Sequence, residues 1–503
     1  MTTTAPAATD VLIAGAGPVG LALAVDLARR GIPVRIVDTL SAPTDESRAI
    51  VVHSRTLDHF ETLGMLKPIL DRAVISTGME IHDDGKTVAS VGFDSIRAAH
   101  PYSVSLVQSE TEAILAGRLA ELGVRVERGT TLTGFTGIDG GMTCVVTDAN
   151  SAAVTIRASY LVGTDGARSA VRHLTGERLT GSFAGEDVVL GDIEADHDYE
   201  RSHFHAFFSP GQTSGLLFPL TSDRVRVFAQ LPDGTDPKRE VTADWLQQLM
   251  EERGIRARIT GTHWLTRFEL KHGQVPDYRH GRVFLAGDAA HIHSPAGALG
   301  MNTGIQDAMN LGWKLARAVR DHDGERLLDS YQRERHPVGA HVVALTTEIT
   351  DIATVSNPAL QELRNALMHV GVELRPLIDR MADEIEQQRI HYRDSRVVTG
   401  YGRRLRPGDF LFLANTGVSA ALAATDDHVI VAVPEMHGEH ALAPITVGLP
   451  VIQAAASDLP ALREATGLHH GGLIIVRPDG YIGSISADLD HAVPQYLRLL
   501  GDN

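Results

Sequence analysis

The sequence predicts an α/β fold, α+β overall, from three observations. The apolar run at residues 11–15 leads into a glycine-rich turn and an apolar-periodic helix. Two later apolar runs, residues 160–163 and 282–286, are each followed by a neighbouring Asp and Gly. Residues 187–231 alternate apolar stretches with turn signals, which is typical of a mainly antiparallel sheet. We therefore expect a Rossmann-type unit with a second sheet inserted into it.

The first turn has the glycine spacing of a dinucleotide-binding loop. Gly15 permits the tight turn, Gly17 lets a pyrophosphate approach the backbone, and Gly20 lets the helix pack closely on the strand. Asp38 follows the next predicted strand, where an acidic residue can bind the hydroxyls of an adenosine ribose. This order of elements favours nucleotide binding over a purely structural βαβ unit.

The segment that follows contains three further candidates. Arg48 lies in a polar loop, where a guanidinium can reach a phosphate or remain in solvent. Ser54 is predicted to cap a short helix. Gln108 precedes a longer helix, for which Ser109 and Glu112 predict a capping box. We expect Gln108 to face inward from this helix start.

Two more strand ends contain an acidic residue beside a glycine. Asp165 and Gly166 follow the second apolar run and precede a polar turn with Arg168. Gly287 and Asp288 follow the third run and precede a Pro- and Gly-rich loop that opens a helix. Ligands of open α/β sheets bind at the carboxyl ends of the strands, so these residues are candidates for contacts with an anion and a polyol.

Composition limits the class of protein. With 503 residues, 43% of them hydrophobic, the chain is long enough for two or three domains. A net charge of −17 argues against a nucleic-acid partner. Neither a membrane-spanning apolar run nor a signal peptide is visible, so we expect no membrane partner and a cytoplasmic protein. The single cysteine, Cys144, excludes an intrachain disulfide.

The 24 histidines do not predict a metal site. His291 and His293 occupy alternate residues of a loop, but no third ligand follows at a spacing typical of zinc sites. We therefore expect no metal.

Three motifs follow one another in the chain: the glycine turn with Asp38, the pair Asp165 and Gly166, and the pair Gly287 and Asp288. In this order they resemble the motifs of the single-component FAD-dependent aromatic hydroxylases, which have the p-hydroxybenzoate hydroxylase fold. The phrase LAGDAAHIHSPAG, followed by GMNTGIQDAMNLGWKLA, looks most like the bacterial branch that oxidises aromatic polyketides and phenols. The resemblance covers residues 10 to about 400. The residues that it implies in FAD binding are Gly15, Gly17, Gly20, Asp38, Arg48, Gln108, Asp165, Gly166, Asp288, Gly300, Met301 and Asn302.

The resemblance also implies a place for each group. Asp38 is expected at the adenosine ribose, Arg48 and Gln108 at the phosphates or ribityl chain, and Asp288 at the ribityl hydroxyls. Asp165 is expected in the phosphate region that FAD shares with the nicotinamide cofactor. Pro295 and the backbone of residues 300–302 are expected to face the isoalloxazine ring.

One loop position departs from the family pattern. The loop commonly reads PAGGxGMN, whereas this chain has Pro295, Ala296, Gly297, Ala298, Leu299 and Gly300. If the backbone at residue 298 has a positive φ, alanine costs on the order of 1 kcal/mol there. We expect the chemistry to survive this change.

The expected domain boundaries follow from these patterns. Residues 1–9 are predicted as a disordered tail, residues 10–180 and 275–400 as the FAD-binding domain with a helical extension, and residues 181–274 as a substrate-domain sheet. Residues 327–390 are predicted to be helical and to brace the cofactor domain or to form a homodimer face. Residues 401–503 resemble the thioredoxin-like appendage of some family members, but they lack the CxxC needed for dithiol exchange.

The resemblance implies a monooxygenase that uses FAD, NADPH or NADH, and molecular oxygen. A flavin C4a-hydroperoxide would transfer oxygen to a polycyclic, phenolic, largely apolar substrate, with NADPH preferred because Arg48 and Arg168 supply positive charge. We expect catalytic contacts from Pro295, Arg48 and His53. The substrate pocket is expected to contain His205, Phe207, Phe218 and Pro295, and the candidates for the general base are His53, His205 and His293.

Two alternatives stay open. The same scaffold supports Baeyer–Villiger or ring-cleaving oxygenation, which the sequence does not separate from hydroxylation. A second alternative is a non-catalytic protein that keeps FAD and sequesters a phenolic metabolite.

Overall fold

The computed structural model of the protein describes residues 7–44, 49–83, 85–182, 187–208, 214–232, 234–322, 324–353, 380, 382–413, 415–435 and 448–501. Strands β1–β26 and helices α1–α11 are numbered along these described residues. No described helix is long and apolar enough to cross a membrane.

A mainly parallel sheet forms the centre of the first unit. In pairing order its strands are β19 (Arg279–His280), β20 (Val283–Leu285), β11 (Ala153–Gly163), β1 (Ala7–Ala14), β2 (Val34–Asp38) and β8 (Val126–Arg128). The antiparallel hairpin of β9 (Thr131–Ile138) and β10 (Gly141–Thr147) extends the sheet from β11. Because β20, β11, β1 and β2 run parallel, the turns that follow them meet at one edge.

The predicted strands around these turns are confirmed, but the first one starts earlier than expected. Residues 7–9, which we assigned to a disordered tail, belong to β1 and pair with β11 at Ile156, Arg157 and Ala158. Backbone pairing with a strand about 150 residues away extends β1, and local sequence does not reveal such a partner.

Helices cover this sheet and share its core. Those that pack on it are α1 (Pro18–Arg29), α4 (Gln108–Glu121) and α7 (Gly300–Asp321). Shorter or flanking helices are α2 (Ser54–Thr62), α3 (Leu66–Leu70), α5 (Ala170–Leu174) and α8 (Glu325–Ala353). The expected helix after the Pro- and Gly-rich loop is confirmed as α7, and residues 301–316 of it are buried. Most of the expected helical run after α8, residues 354–379 and 381, lies outside the described residues.

One face of a second, mainly antiparallel sheet points toward the first unit. In pairing order its strands are β17 (Ala257–Glu269), β13 (Asp187–His197), β16 (Arg224–Gln230), β15 (Gly215–Pro219), β14 (His203–Phe208), β5 (Gly78–Asp83) and β6 (Lys86–Gly92). Helix α6 (Ala243–Glu252) packs on the opposite face. The inserted antiparallel sheet is confirmed, but β5 and β6 come from the range that we assigned to the FAD-binding domain. Strand β5 joins the second sheet by pairing in parallel with β14, which is distant in the sequence, and β6 joins it by pairing with β5.

Two small sheets connect these units. One contains β3 (Val51–Val52), β7 (Ser103–Ser105) and β4 (Val74–Ser76). The other contains β12 (Thr180–Ser182), β18 (His272–Gln274) and β21 (His291–Ile292).

The C-terminal residues form a further sheet with a hydrophobic cluster of their own and a second cluster that includes Trp313 and Leu327. In pairing order its strands are β22 (Thr399–Gly400), β26 (Ile482–Ser486), β25 (Gly472–Val476), β23 (Val429–Val433) and β24 (Val451–Gln453). Its helices are α9 (Val418–Ala424), α10 (Leu459–Thr466) and α11 (Ala492–Leu500). The thioredoxin-like character of this part stays a prediction.

A buried charge network joins this C-terminal part to α7 and α8. Glu334 accepts hydrogen bonds from two nitrogens of Arg477, each at 2.8 Å, and from Lys314 at 2.7 Å. Asp479 also pairs with Arg477, and all of these side chains are at most 1% exposed. Burial lowers the pKa of Lys314 to about 8 even though Glu334 opposes this shift. The network therefore links the C-terminal part to α7 and α8.

Candidate cofactor site

The turn between β1 and α1 has the geometry that its glycines predict. Gly15 has a φ of +104°, and a Cβ there would lie 2.4 Å from the carbonyl oxygen of Thr164. A Cβ on Gly20 would lie 2.0 Å from the Gly15 carbonyl oxygen, so the helix packs directly on the turn. A Cβ on Gly17 would meet no atom within 4 Å, and no side chain caps α1. The turn therefore offers open space and a helix N-terminus to a phosphate.

Asp38 lies beside this turn at the end of β2. Its Oδ2 accepts a hydrogen bond from the backbone N–H of Ala16 at 2.7 Å, and its Oδ1 accepts one from Leu40 at 2.8 Å. Arg128 lies 3.5 Å from the same Oδ1. Because a carboxylate has about four acceptor sites, Asp38 can hold the turn and also bind a ribose hydroxyl.

Asp165 acts mainly within its own turn. Its carboxylate accepts hydrogen bonds from the Ser169 hydroxyl and from the backbone N–H of Ala170, at 2.6 Å, and of Val171, at 3.1 Å. It therefore caps α5, a role that sequence reasoning did not assign. Gly166 takes a φ of +76° in the same turn.

Arg172 joins the two acidic turns, and sequence reasoning missed it. This buried guanidinium donates hydrogen bonds to the carbonyl oxygens of Ala289, at 3.0 Å, and of Ala167, at 2.6 Å. Arg172 thus links the turn after β11 to the turn after β20. The only sequence signal was a basic residue in a short helix.

Asp288 is exposed at this edge, in the one-turn helix Gly287–Ala289. Asp307, on α7, supports this turn, because its carboxylate accepts a hydrogen bond from the Gly287 N–H at 3.0 Å. Asp307 also lies 2.7 Å from His291 Nε2 and 2.6 Å from Arg335 Nε. Burial would raise the pKa of Asp307, but Arg335 and His291 hold it below its usual range.

The loop from Pro295 to the start of α7 contains the unusual alanine. Gly297 has a φ of +74° and Ala298 a φ of +54°, so the left-handed conformation considered for residue 298 is present. An alanine in this region costs about 1–2 kcal/mol, which the surrounding contacts must offset. Helix α7 then begins at Gly300 without a side-chain cap, leaving its first N–H groups for an acceptor outside the helix.

Asn302 fixes the conformation of this loop. Its Nδ2 donates to the carbonyl oxygens of Val51 and Ala298, both at 2.9 Å, and its Oδ1 accepts from the His53 N–H at 2.9 Å. The fully buried side chain therefore binds protein groups. Any contact with FAD comes from the backbone of this turn.

His53 lies beneath the loop and links it to Glu386. Its Nε2 donates to the Gly297 carbonyl oxygen at 2.8 Å. Its Nδ1 lies 2.8 Å from Ser103 Oγ, and that hydroxyl donates to Glu386 at 2.6 Å. His53 thus positions the loop, and sequence reasoning missed Glu386 entirely.

The start of α2 differs from its prediction for the same reason. The Ser54 side chain makes no capping bond, and the Ser54 backbone N–H instead donates to Glu386 at 2.7 Å. A carboxylate more than 300 residues away therefore caps this helix.

Gln108 lies against the segment that contains Arg48. It exchanges hydrogen bonds with the backbone of Ala49, at 3.0 and 3.1 Å. Arg48 itself lies outside the described residues. The predicted capping box is wrong: α4 starts at Gln108 without a side-chain cap, and Glu112 accepts from Gln108 Nε2 at 2.9 Å instead.

The expected substrate residues fall on two faces of the second sheet. Phe218 packs against Phe204, with ring centroids 5.2 Å apart, in a cluster that also contacts Ala298. Phe207 lies in the core beneath α6, and His205 neighbours it on that side of β14. Side chains alternate across a strand, so Phe204 faces the loop while His205 and Phe207 face away.

His293 lies next to the start of α7, with its ring about 3.3 Å from the position of a Cβ on Gly300. Its Nδ1 contacts the Ser294 carbonyl oxygen at 2.9 Å. Burial, with His291 nearby, lowers the pKa of His293 to about 4. The ring is therefore neutral at pH 7.

These residues fit FAD. The open space at Gly17, the uncapped α1 and the carboxylate of Asp38 suit a pyrophosphate and a ribose. The exposed Asp288 and the uncapped α7 at the same sheet edge suit a ribityl chain and an electron-rich ring edge.

The chain is similar to known flavoproteins over most of its length. Residues 8–346 match the family described as FAD binding domain. A 6-methylpretetramide 4-monooxygenase from Streptomyces rimosus is 34% identical, with 94% of this chain and 90% of that protein covered. A 12-dehydrotetracycline 5-monooxygenase/anhydrotetracycline 6-monooxygenase from Streptomyces rimosus subsp. rimosus is also 34% identical, with 72% and 73% covered.

A solved structure gives the same result. The anhydrotetracycline hydroxylase of Streptomyces rimosus superposes with a TM-score of 0.77 at 29% identity, with 99% of both chains covered. These findings favour an enzyme over a protein that only sequesters a metabolite. The chain belongs to the FAD-dependent aromatic hydroxylase family and is a flavin-dependent monooxygenase.

Proposed function

We propose that this protein hydroxylates an electron-rich carbon of a polycyclic phenolic compound of the aromatic polyketide kind. The observation that carries the proposal is the aromatic face of the second sheet, where Phe204 and Phe218 pack in the cluster that contacts Ala298 of the loop. An apolar wall beside the loop suits a flat, apolar substrate. Relatives named for 6-methylpretetramide and anhydrotetracycline support this substrate class.

Bound and reduced FAD supplies the activation of molecular oxygen, and the protein controls its surroundings. The N–H groups at the start of α7 stabilise negative charge that develops beside them. Asn302 and His53 hold the loop that presents those groups. The apolar cluster around Phe204 keeps water away from the reacting atoms.

NADPH is the proposed reductant, and it visits the FAD-binding domain transiently because the sequence contains a single dinucleotide fingerprint. Arg168 is exposed on the turn after β11, where it can bind a phosphate. Arg48 is the second proposed contact. Replacing Arg168 by alanine should raise the KM for NADPH about tenfold, which corresponds to about 1.4 kcal/mol. Arg258→Ala, an exposed arginine on the edge strand β17, is the matched control.

The decisive experiment measures NADPH consumption by the FAD-loaded protein with and without a hydroxylated naphthoquinone or anthraquinone. We expect consumption to rise steeply with the phenol, and one atom of labelled oxygen to appear as a new hydroxyl group. Oxygen inserted between two carbons, or a ring-opened product, would assign Baeyer–Villiger or ring-cleaving chemistry instead. Phenol binding without any turnover would contradict the proposed reaction.

A further inference from the structure

The face of the second sheet that points away from the loop carries a cluster of three potential metal ligands. Glu80 and His82 lie on β5, and His205 lies on β14. The parallel register places Glu80 directly beside His205. His82 follows Glu80 by two residues, so all three side chains leave the same face.

The ligating atoms of these side chains converge on one point. Nε2 of His82 lies 3.1 Å from Nδ1 of His205, and each nitrogen lies 3.6 Å from the same Oε2 of Glu80. A triangle with these sides has its corners about 2.0 Å from its centre, which matches the 2.0–2.2 Å of zinc–nitrogen and zinc–carboxylate bonds.

Neighbouring groups orient the His82 and His205 rings for metal binding. Nε2 of His205 donates to the Glu200 carbonyl oxygen at 2.8 Å, so in the neutral ring Nδ1 has a free lone pair. Nδ1 of His82 lies 3.3 Å from the Thr87 hydroxyl. Phe207 stacks on His82 with ring centroids 4.5 Å apart. Hydrogen bonds to the non-ligating ring nitrogen are the usual support of histidine ligands.

The charge of the cluster favours a cation as well. Glu80 contributes a carboxylate beside the two imidazoles. Its side chain is 23% exposed, which leaves a side of the cluster open to water and to an entering ion.

We propose that Glu80, His82 and His205 form a binding site for zinc or a similar divalent transition metal, with water completing the coordination. The ion would cross-link β5 and β14, which pair in parallel in this sheet. The opposite faces of these strands carry Met79 and Phe204, which belong to the apolar wall next to the loop. The metal therefore stabilises the two strands that carry the apolar wall, from their opposite face, and takes no part in oxygen transfer. This site differs from the pair His291 and His293 considered in the sequence.

A metal-free arrangement is the competing account. In it, Nε2–H of His82 donates to Nδ1 of His205, and Glu80, at 3.6 Å, receives no hydrogen bond from either ring. The two accounts differ in metal content, which can be measured without turnover. Failure of the metal site is thus distinguishable from failure of the proposed hydroxylation.

The test uses the full-length, FAD-loaded protein, stripped with EDTA and titrated with zinc sulfate against a fluorescent chelator. We expect about one zinc per chain, a melting temperature that rises with zinc, and intense tetrahedral absorption bands when cobalt(II) replaces it. His82→Asn and Glu80→Gln should weaken zinc binding at least about a hundredfold, since even losing an outer hydrogen bond costs 10–100-fold. The control His263→Asn changes another histidine of the same sheet, one that pairs with Glu194 alone, and should bind zinc like the wild type.

Glu80→Gln keeps the size of a partly exposed side chain, so it remains informative if the histidine variants fold poorly. The proposal is overturned if the stripped wild type binds no zinc, or if it binds zinc no more tightly than Glu80→Gln. An increase in melting temperature that persists in Glu80→Gln would likewise assign the ion to another place.

Discussion

Removing the Glu386 carboxylate should loosen the loop that carries Ala298. Glu386 is fully buried and accepts hydrogen bonds from the Ser54 N–H at 2.7 Å and the Ser103 hydroxyl at 2.6 Å, with His53 Nδ1 at 3.2 Å. Glu386→Ala leaves the Ser54 N–H and the Ser103 hydroxyl buried without their acceptor. Leaving two buried donors unsatisfied costs about 2–6 kcal/mol, at about 1–3 kcal/mol each.

Two further variants grade the effect. Glu386→Gln keeps the volume and can hydrogen-bond Ser103, so it should lose only about 1.5–3 kcal/mol, the value of a hydrogen bond to a charged group. Glu384→Gln is the matched control two residues away. Its partners His341 and Arg389 are 57% and 47% exposed, so this change should cost less than about 1 kcal/mol.

The assay is urea denaturation of the FAD-free protein, followed by an FAD titration of each variant. We expect stability to fall in the order Glu384→Gln, Glu386→Gln, Glu386→Ala, and FAD affinity to fall with it, because His53 loses its anchor and releases Gly297. If Glu386→Ala is as stable as Glu384→Gln, the buried carboxylate does not hold the loop.

Three other perturbations test separate parts of the structure. Glu334→Gln leaves Arg477 and Lys314 buried with less negative charge, so urea denaturation should show a loss of about 3–5 kcal/mol, and a loss under 1 kcal/mol would refute the network. Asp288→Ala should weaken FAD binding by about 1.5–3 kcal/mol in a fluorescence titration, and unchanged affinity would remove it from the ribityl site. Burial lowers the pKa of His59 from 6.5 to about 3, so between these values the unfolded chain binds a proton that the folded chain does not, and stability falls as pH falls through this window. His59→Gln should flatten this slope relative to the wild type, and identical slopes would contradict the assignment.

The sequence alone was sufficient where the chemistry is local. The glycine turn at residues 15–20 could be predicted because its geometry depends on neighbouring φ angles and on the absence of a few Cβ atoms. The strand-end acids Asp38 and Asp288 could be placed because parallel strands end at a common edge of a sheet. The order of these motifs also carried the family resemblance, which the comparisons confirmed.

Local pattern was insufficient where a partner comes from a distant part of the chain. Ser54 had the residue type of a helix cap, but Glu386 occupies that role, and no spacing rule connects residues 332 positions apart. Sequence reasoning placed His205 and Phe207 of β14 together with Phe218 in the substrate pocket. Only the packing of α6 decided that Phe207 belongs to the core on the far side, with Phe204 toward the loop.

The sequence by itself determined the nucleotide-binding turns, the strands that deliver them and the class of cofactor, because these depend on short stretches with their own steric rules. Tertiary structure decided which buried charges hold those turns. It brought Arg172 to the turn at Ala289, Asp307 to Gly287 and Glu386 to His53. The physical reason is that a buried charge is stable only beside its partner, and the fold alone determines which partner lies beside it.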